Sequence, residues 1–525
     1  MLLNPYNHYI LLKKGLFYYN FIIFCEKFLE EVYMEKEGIQ DSKLIELLTS
    51  LNEIEYKKFG LFIKSPFFNK SPKMQSLFTY FKSKWKHLGT GKITKESIFI
   101  CVYGDKESFN EINFRKIISE FTKLLEEFIR THLCEQNALA QKNLLLSFFR
   151  ERKLNKNFDY TLKSARNISE VTFNKDITFY REQVFLETEV FNYVTDNLGF
   201  DDTQYQRIID TNTLGFILST LELYYNLIKY KSSYNSKMSY ELDYIDWVMA
   251  YTEKNLEFIK KSHPNIYAEY ISVKTLLEPD NVSYFHNLRE YVNQNEKAYT
   301  ESELKKVYIT LFNYCANKIN KGIPEFRQEL FGIIKELDEK NLTVGFFTAF
   351  HLYVLSVVNT ALFMKEFEWV EYFISKYEKH IVKDLRKSIV NISRGNLYFH
   401  QKKYNEALRL LLEIKYPNEV SYLISNAIEL KIYFEQGEFE MIYTLYDKMK
   451  HFLKRKNHIA DYTMISYDKL LNYTMRLIKA IENNDLFEIE MLRKEIERET
   501  VLNSKDWLLE KIEEHKKFVK PEPRR

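Results

Sequence analysis

The chain holds 13 glycines and 9 prolines among 525 residues, against 39 tyrosines and 41 phenylalanines. Glycine and proline make the tight turns, strand ends and phosphate loops from which sheet proteins and loop-built active sites are assembled. A chain so poor in them is confined to helix after helix, joined by short polar connections and packed through aromatic side chains. A/T-rich coding also raises Lys, Asn, Ile, Tyr and Phe. Composition alone therefore does not fix the fold, and hydrophobic periodicity has to carry it.

At 45% hydrophobic and 28% charged residues the chain is globular. Its length allows roughly two to four domains, or one elongated repeat array. With 76 basic and 73 acidic residues the net charge is +3, which gives no global electrostatic case for nucleic acid. Cys25, Cys101, Cys134 and Cys315 form no CxxC pair and read as reduced, mostly buried thiols of a cytoplasmic protein.

Residues 1–41 read as an N-terminal extension. Lys13 and Lys14 precede an apolar run from Leu16 to Phe24, ending at Cys25. No small-residue cleavage site follows, and a run of about nine residues is short of the ~20 that span a bilayer. Either this run is an amphipathic helix docking on the body, or Met34, followed by a polar stretch, is the start, and the second is the expectation. The apolar stretch Val344–Met364 carries His351 and Asn359, so no membrane span is expected.

Residues 42–135 form a first helical module. Leu44, Leu47, Leu48 and Leu51 recur at helical spacing, and Tyr56, Phe59, Phe62 and Ile63 begin a second face. Ser65-Pro66 stops that helix. Ser71-Pro72 and Thr94 read as N-caps. Residues 114–130 are strongly amphipathic. Residues 136–260 continue as a middle helical region, with a loop at Asp201-Asp202, a helix from Thr213 to Tyr230 and a polar break at Ser232 to Ser236.

The segment Phe59-Gly60-Leu61-Phe62-Ile63-Lys64-Ser65-Pro66-Phe67-Phe68-Asn69 resembles the opening of an uncharacterised helical-repeat family of Bacteroidetes-type bacteria. The likeness continues through Val102-Tyr103 and Arg115 to Phe121, with a weaker echo at Leu221 to Tyr225, near Lys229-Tyr230. It implies a helical fold and a bacterial cytoplasm. It transfers no functional residue, and it implies a start near Met34.

Residues 261–525 carry a repeat. Gly395, Tyr398, Tyr404, Ala407 and Leu411 match the tetratricopeptide spacing of small residue, aromatic, turn, aromatic and second small residue. Tyr433, Gly437, Phe439, Ile442 and Tyr446 repeat it about 35 residues later, and Ala361, Phe367, Val370 and Ile374 precede it by a similar step. The small residue lets helix A approach helix B of its hairpin, and the aromatics fill the gap to the next hairpin. The match fades around Phe326 and after Leu486, as in capping units. The expected fold is all-α: a right-handed superhelix of antiparallel, tetratricopeptide-like helix pairs behind an N-terminal helical module.

Enzyme signatures fail one by one. Gly89-Thr90-Gly91-Lys92 lacks the first glycine and the Ser or Thr of a phosphate loop, where Lys86 and Ile93 stand. His458 and Asp461 are an isolated pair, and there is no HExxH for a metal. His351 reads as a hydrogen-bonded core histidine. No nucleophile elbow exists. No cofactor and no catalysis are expected. Lys448, Lys450, Lys454, Arg455 and Lys456 form a candidate anion patch that also suits a helix C-terminus. Lys516, Lys517, Lys520, Arg524 and Arg525 form a basic tail.

The reading that follows is a non-catalytic scaffold holding a protein or peptide in the groove of a helical solenoid. A second reading is a regulator whose residues 42–135 form a helix-turn-helix-like module, with Arg115, Lys116 and Lys123 toward phosphates. Glu120, Glu126 and Glu127 on the same helix oppose it. A third is an enzyme with an unrecognised site.

Overall fold

The computed structural model describes residues 42–85, 88, 93–199, 201–234, 242–346, 349–414, 418–455 and 461–518. Among them are 24 α-helices and no strand. No described helix is long and apolar enough to cross a membrane. The expected start at Met34, the loop Gly89 to Lys92 and His458 lie outside the described residues. The chain divides into two compact units, one extending to Glu170 and one beginning at Val171. The boundary falls inside the stretch 136–260.

The first unit opens with α1 (Lys43–Ser50), α2 (Glu53–Lys64), α3 (Pro72–Lys84), α4 (Lys95–Tyr103) and α5 (Glu111–Gln136). Side-chain caps set their starts. Asn52 and Glu55 form a capping box on α2, and Thr94 and Ser97 form another on α4. Ser71 departs from expectation, because its side chain caps nothing. The buried Asn69 takes that role, donating to Ile63 O at 2.9 Å and accepting from Ser71 N at 2.9 Å. The apolar stripe of α5 puts Phe121 against Phe59 and Phe81, with ring centroids 5.7 and 5.6 Å apart. Each of the three rings is 0% exposed, so aromatic contact is the substance of this core. Two further helices follow, α6 (Ala138–Glu151) and α7 (Asn155–Val171).

The second unit begins with α8 (Ile177–Leu198) and the long α9 (Asp202–Tyr234), followed by α10 (Ile245–Lys254) and α11 (Leu256–Ser262). Here the expected break at Ser232 is corrected: the helix continues through Ser232 to Tyr234, since an unbroken α-ladder tolerates serine where no glycine or proline interrupts it.

Helices then come in pairs: α12 (Pro264–Leu277) with α13 (Val282–Gln294), α14 (Glu301–Asn320) with α15 (Phe326–Glu339), and α16 (Phe350–Phe363) with α17 (Phe367–Tyr377). They continue as α18 (Lys383–His400) with α19 (Tyr404–Leu412), α20 (Glu419–Gln436) with α21 (Phe439–Arg455), and α22 (Asp461–Glu482) with α23 (Leu486–Arg498), ending in α24 (Lys505–Phe518). First helices also touch the first helices of neighbouring pairs: α12 meets α14, α18 meets both α16 and α20, and α22 meets α24.

One backbone device closes five of these hairpins: at α14–α15 Ile323 N bonds Lys318 O at 3.0 Å behind Gly322, with φ of 83°, and four others share it. Glu366 N bonds Ala361 O, Lys403 N bonds Tyr398 O, Glu438 N bonds Tyr433 O and Asp485 N bonds Ala480 O, at 2.8–3.0 Å. This six-to-one bond needs a left-handed residue just before the donor. Lys365, Lys402, Gly437 and Asn484 supply it, with φ of 61°, 61°, 74° and 50°. Phe367, Tyr404, Phe439 and Leu486 then open the second helix. The last closure is a hairpin in the stretch where the sequence pattern fades.

Candidate functional site

The residues singled out for repeat packing fall at the hairpin seams. Ala361 and Ala407 are 0% exposed, Tyr433 is buried, and Phe367, Tyr398, Tyr404 and Phe439 are half-buried. At Gly395 a Cβ would stand 2.9 Å from Leu411 Cδ2, so a side chain there would force Leu411 to shift where α18 lies against α19. Gly437 is the left-handed cap of α20.

Of the five basic residues at and beyond the end of α21, the four described ones do not converge. Lys450 pairs with Asp468 of α22 at 2.6 Å, and Lys448 reaches Asn426 Oδ1 at 3.4 Å. Lys454 and Arg455 face solvent, and Lys456 lies outside the described residues. In the tail, Lys516 bonds Glu490. His351 is half-buried, 3.2 Å from the Asn418 amide, and burial lowers its pKa. Cys315 is buried and burial pushes its thiol up to about 12. Cys101 is half-buried and Cys134 exposed. A thiol raised this way is a poor nucleophile.

A different group of side chains does converge. Asn359 of α16, Ser393 and Asn396 of α18, Lys431 of α20, Tyr467 of α22 and Asn503 beyond α23 line one cavity of about 280 Å³. Four first helices thus supply a single wall, because α16, α18 and α20 lie side by side. Its polar groups are incompletely bonded. Ser393 is 0% exposed and Asn396 is 6% exposed, yet Ser393 Oγ and Asn396 Oδ1 have no hydrogen-bond partner. Buried polar atoms almost always have one.

Lys431 is the charge in this cavity. Its ammonium lies 4.7 Å from the Phe399 ring centroid, and no carboxylate among the described residues pairs with it. Burial pushes its pKa down to about 8, only partly opposed by the Glu435 carboxylate. Glu435 stands one turn further along α20, but Trp507 Nε1 donates to it at 2.9 Å and Lys511 pairs with it at 2.9 Å. Burial raises the pKa of the Tyr467 hydroxyl, opposed in part by the nearby Asn503 side chain.

The arrangement places one desolvated cation, a hydroxyl and amides around one cavity, a set of groups able to hold an anion. None of Ser393, Asn396 or Lys431 stands out in the sequence. The available signal is that α20 buries Ser421, Ser425, Asn426 and Glu429 as well as its apolar residues. A helix covered on nearly every face buries its polar groups too.

Comparison with known proteins adds nothing to this geometry: no protein-family model, no curated protein and no solved structure matches the chain.

Proposed function

We propose that this chain is a non-catalytic scaffold that holds a protein or peptide partner in the groove of a tetratricopeptide-like, right-handed stack of helix pairs. The observation that carries the reading is the shared cavity, to which first helices of successive hairpins each contribute a side chain. Repeat arrays commonly bind along such a surface, because stacking aligns equivalent positions of neighbouring units. The recurring hairpin closure and the close approach of α18 to α19 at Gly395 support the repeat itself. Free thiols at Cys101, Cys134 and Cys315 suit a reducing cytoplasm.

The test is affinity capture from the native cell with the full chain, run beside cavity-rim variants. Asn359 is exposed and Val420 half-buried at the cavity. Asn359→Arg and Val420→Arg should lose the captured partner without lowering the melting temperature, while Glu413→Arg, at the exposed position just past α19, keeps it. A partner held equally by all three variants contradicts a groove.

A further inference from the structure

The scaffold reading leaves the chemistry of the ligand open, and the cavity narrows it. A buried ammonium without a counter-ion is costly to a fold, and replacing such a charge with an apolar group of similar size is often neutral or stabilising. Two buried lysines of the second unit are paired, Lys318 with Asp280 at 3.2 Å and Lys511 with Glu435 and Glu514. Lys431, half-buried at the cavity, has no carboxylate partner among the described residues. The group missing from it is an anion.

The volume adds a second requirement. About 280 Å³ lies just below the ~300–1,000 Å³ of sites that enclose drug-sized ligands, so the cavity has room for one side chain. An acidic residue of a peptide lying in the groove meets both.

We propose that this cavity receives an acidic residue of a peptide partner, with its carboxylate on the Lys431 ammonium. The proposal rests on the scaffold reading and gives its groove a specificity. Pairing offsets the desolvation of Lys431, which burial has already driven toward its neutral form. Glu435 on the same helix is the intramolecular rival for the ammonium, and Lys511 and Trp507 hold it away.

The experiment uses the full chain and three probes, read by saturation-transfer NMR. They are acetyl-Ala-Glu-Ala-amide, whose sole carboxylate is the side chain, the same peptide with Gln for Glu, and free L-glutamate. The Glu peptide should bind at least about tenfold more tightly than the Gln peptide, the scale of a charge-assisted contact. Free L-glutamate should bind more weakly than the Glu peptide. Lys431→Met should cost the Glu peptide about tenfold and leave the Gln peptide unchanged. Equal binding of the Glu and Gln peptides overturns the proposal, as does no detectable binding of either. Free L-glutamate binding as tightly as the Glu peptide overturns the peptide assignment and makes the cavity a small-molecule site. If Lys431→Met fails to fold, the Glu-to-Gln comparison on the unmodified chain still decides. Loss of partner capture in the rim variants, with no preference for the Glu peptide, sinks the carboxylate assignment alone. The reverse outcome sinks the scaffold reading.

Discussion

Two lysines of the second unit share one glutamate's neighbourhood and meet opposite fates. Lys511, on α24, has a side chain only 6% exposed and pairs with both Glu435 and Glu514. Their carboxylates outweigh its burial and raise its pKa. Lys431, one turn before Glu435 on α20, has no pair, and its pKa falls to about 8. The first lysine closes the C-terminal end of the stack, where every partner is supplied by the chain. The second faces a cavity lined by four helices, where the chain supplies none. The difference is between a charge whose partners the chain supplies and one whose proposed partner is a ligand.

Removing each lysine gives the sharpest form of the contrast. Lys511→Met strands Glu435 with a single donor, and breaking a buried pair costs about 3–5 kcal/mol. Lys431→Met should leave stability unchanged or raise it. Urea denaturation of both variants checks this, and equal losses would erase the distinction.

A smaller effect, about 1–3 kcal/mol for overpacking, is expected from Ala407→Trp. Ala407 O would lie 3.5 Å from a Cβ at Gly395, on the back of the helix that carries Ser393 and Asn396. The substitution should therefore weaken both stability and acidic-peptide binding, while Lys403→Ala, at the exposed turn, does neither. Stability equal to that of Lys403→Ala would place Ala407 outside the seam.

The smallest effect is a pair of opposed pH slopes. Lys431 holds its proton less tightly in the fold than the ordinary 10.5 of the unfolded chain. The unfolded state therefore binds more protons between about pH 8 and 10.5, and this group makes stability rise across that window. Lys511 is raised instead, so its contribution is complete below the ordinary value and is lost as pH climbs through the folded one. Glu435, His400 and Tyr467 also surround Lys431, but Tyr467 is held neutral by burial. Urea midpoints from pH 8 to 10.5 should show the advantage of Lys431→Met shrinking while the deficit of Lys511→Met persists. Parallel trends would contradict the assignment.

The hairpins were legible in the sequence because their determinants are local. A small residue at Gly395 or Ala407, and an aromatic at the head of the second helix at Phe367, Tyr404 or Phe439, lie within one repeat. The α22–α23 hairpin was not, since its closure uses Ala480, Asn484 and Leu486, which carry no aromatic signature. The cap at Asn69 was missed for a similar reason: the side chain bonds Ile63 O and Ser71 N across a turn that Ser71-Pro72 alone appeared to explain. The cavity was illegible on other grounds. Lys431 and Glu435 stand four apart on one helix, a spacing that normally joins them. Only the return of α24, 72 and 76 residues later in sequence, brings Trp507 and Lys511 to claim Glu435 and leave Lys431 alone. No window of sequence contains that competition.

The most direct measurement is the titration of the two ammonium groups by NMR on the chain labelled at lysine Cε, with Lys431→Met and Lys511→Met assigning the resonances. The expected result is a Lys431 resonance titrating at about 8, moving upward when acetyl-Ala-Glu-Ala-amide is added, and a Lys511 resonance titrating above the ordinary lysine value. A Lys431 pKa at or above 10.5 in the free protein would mean that the ammonium already has its partner, and the distinction between the two lysines would be gone.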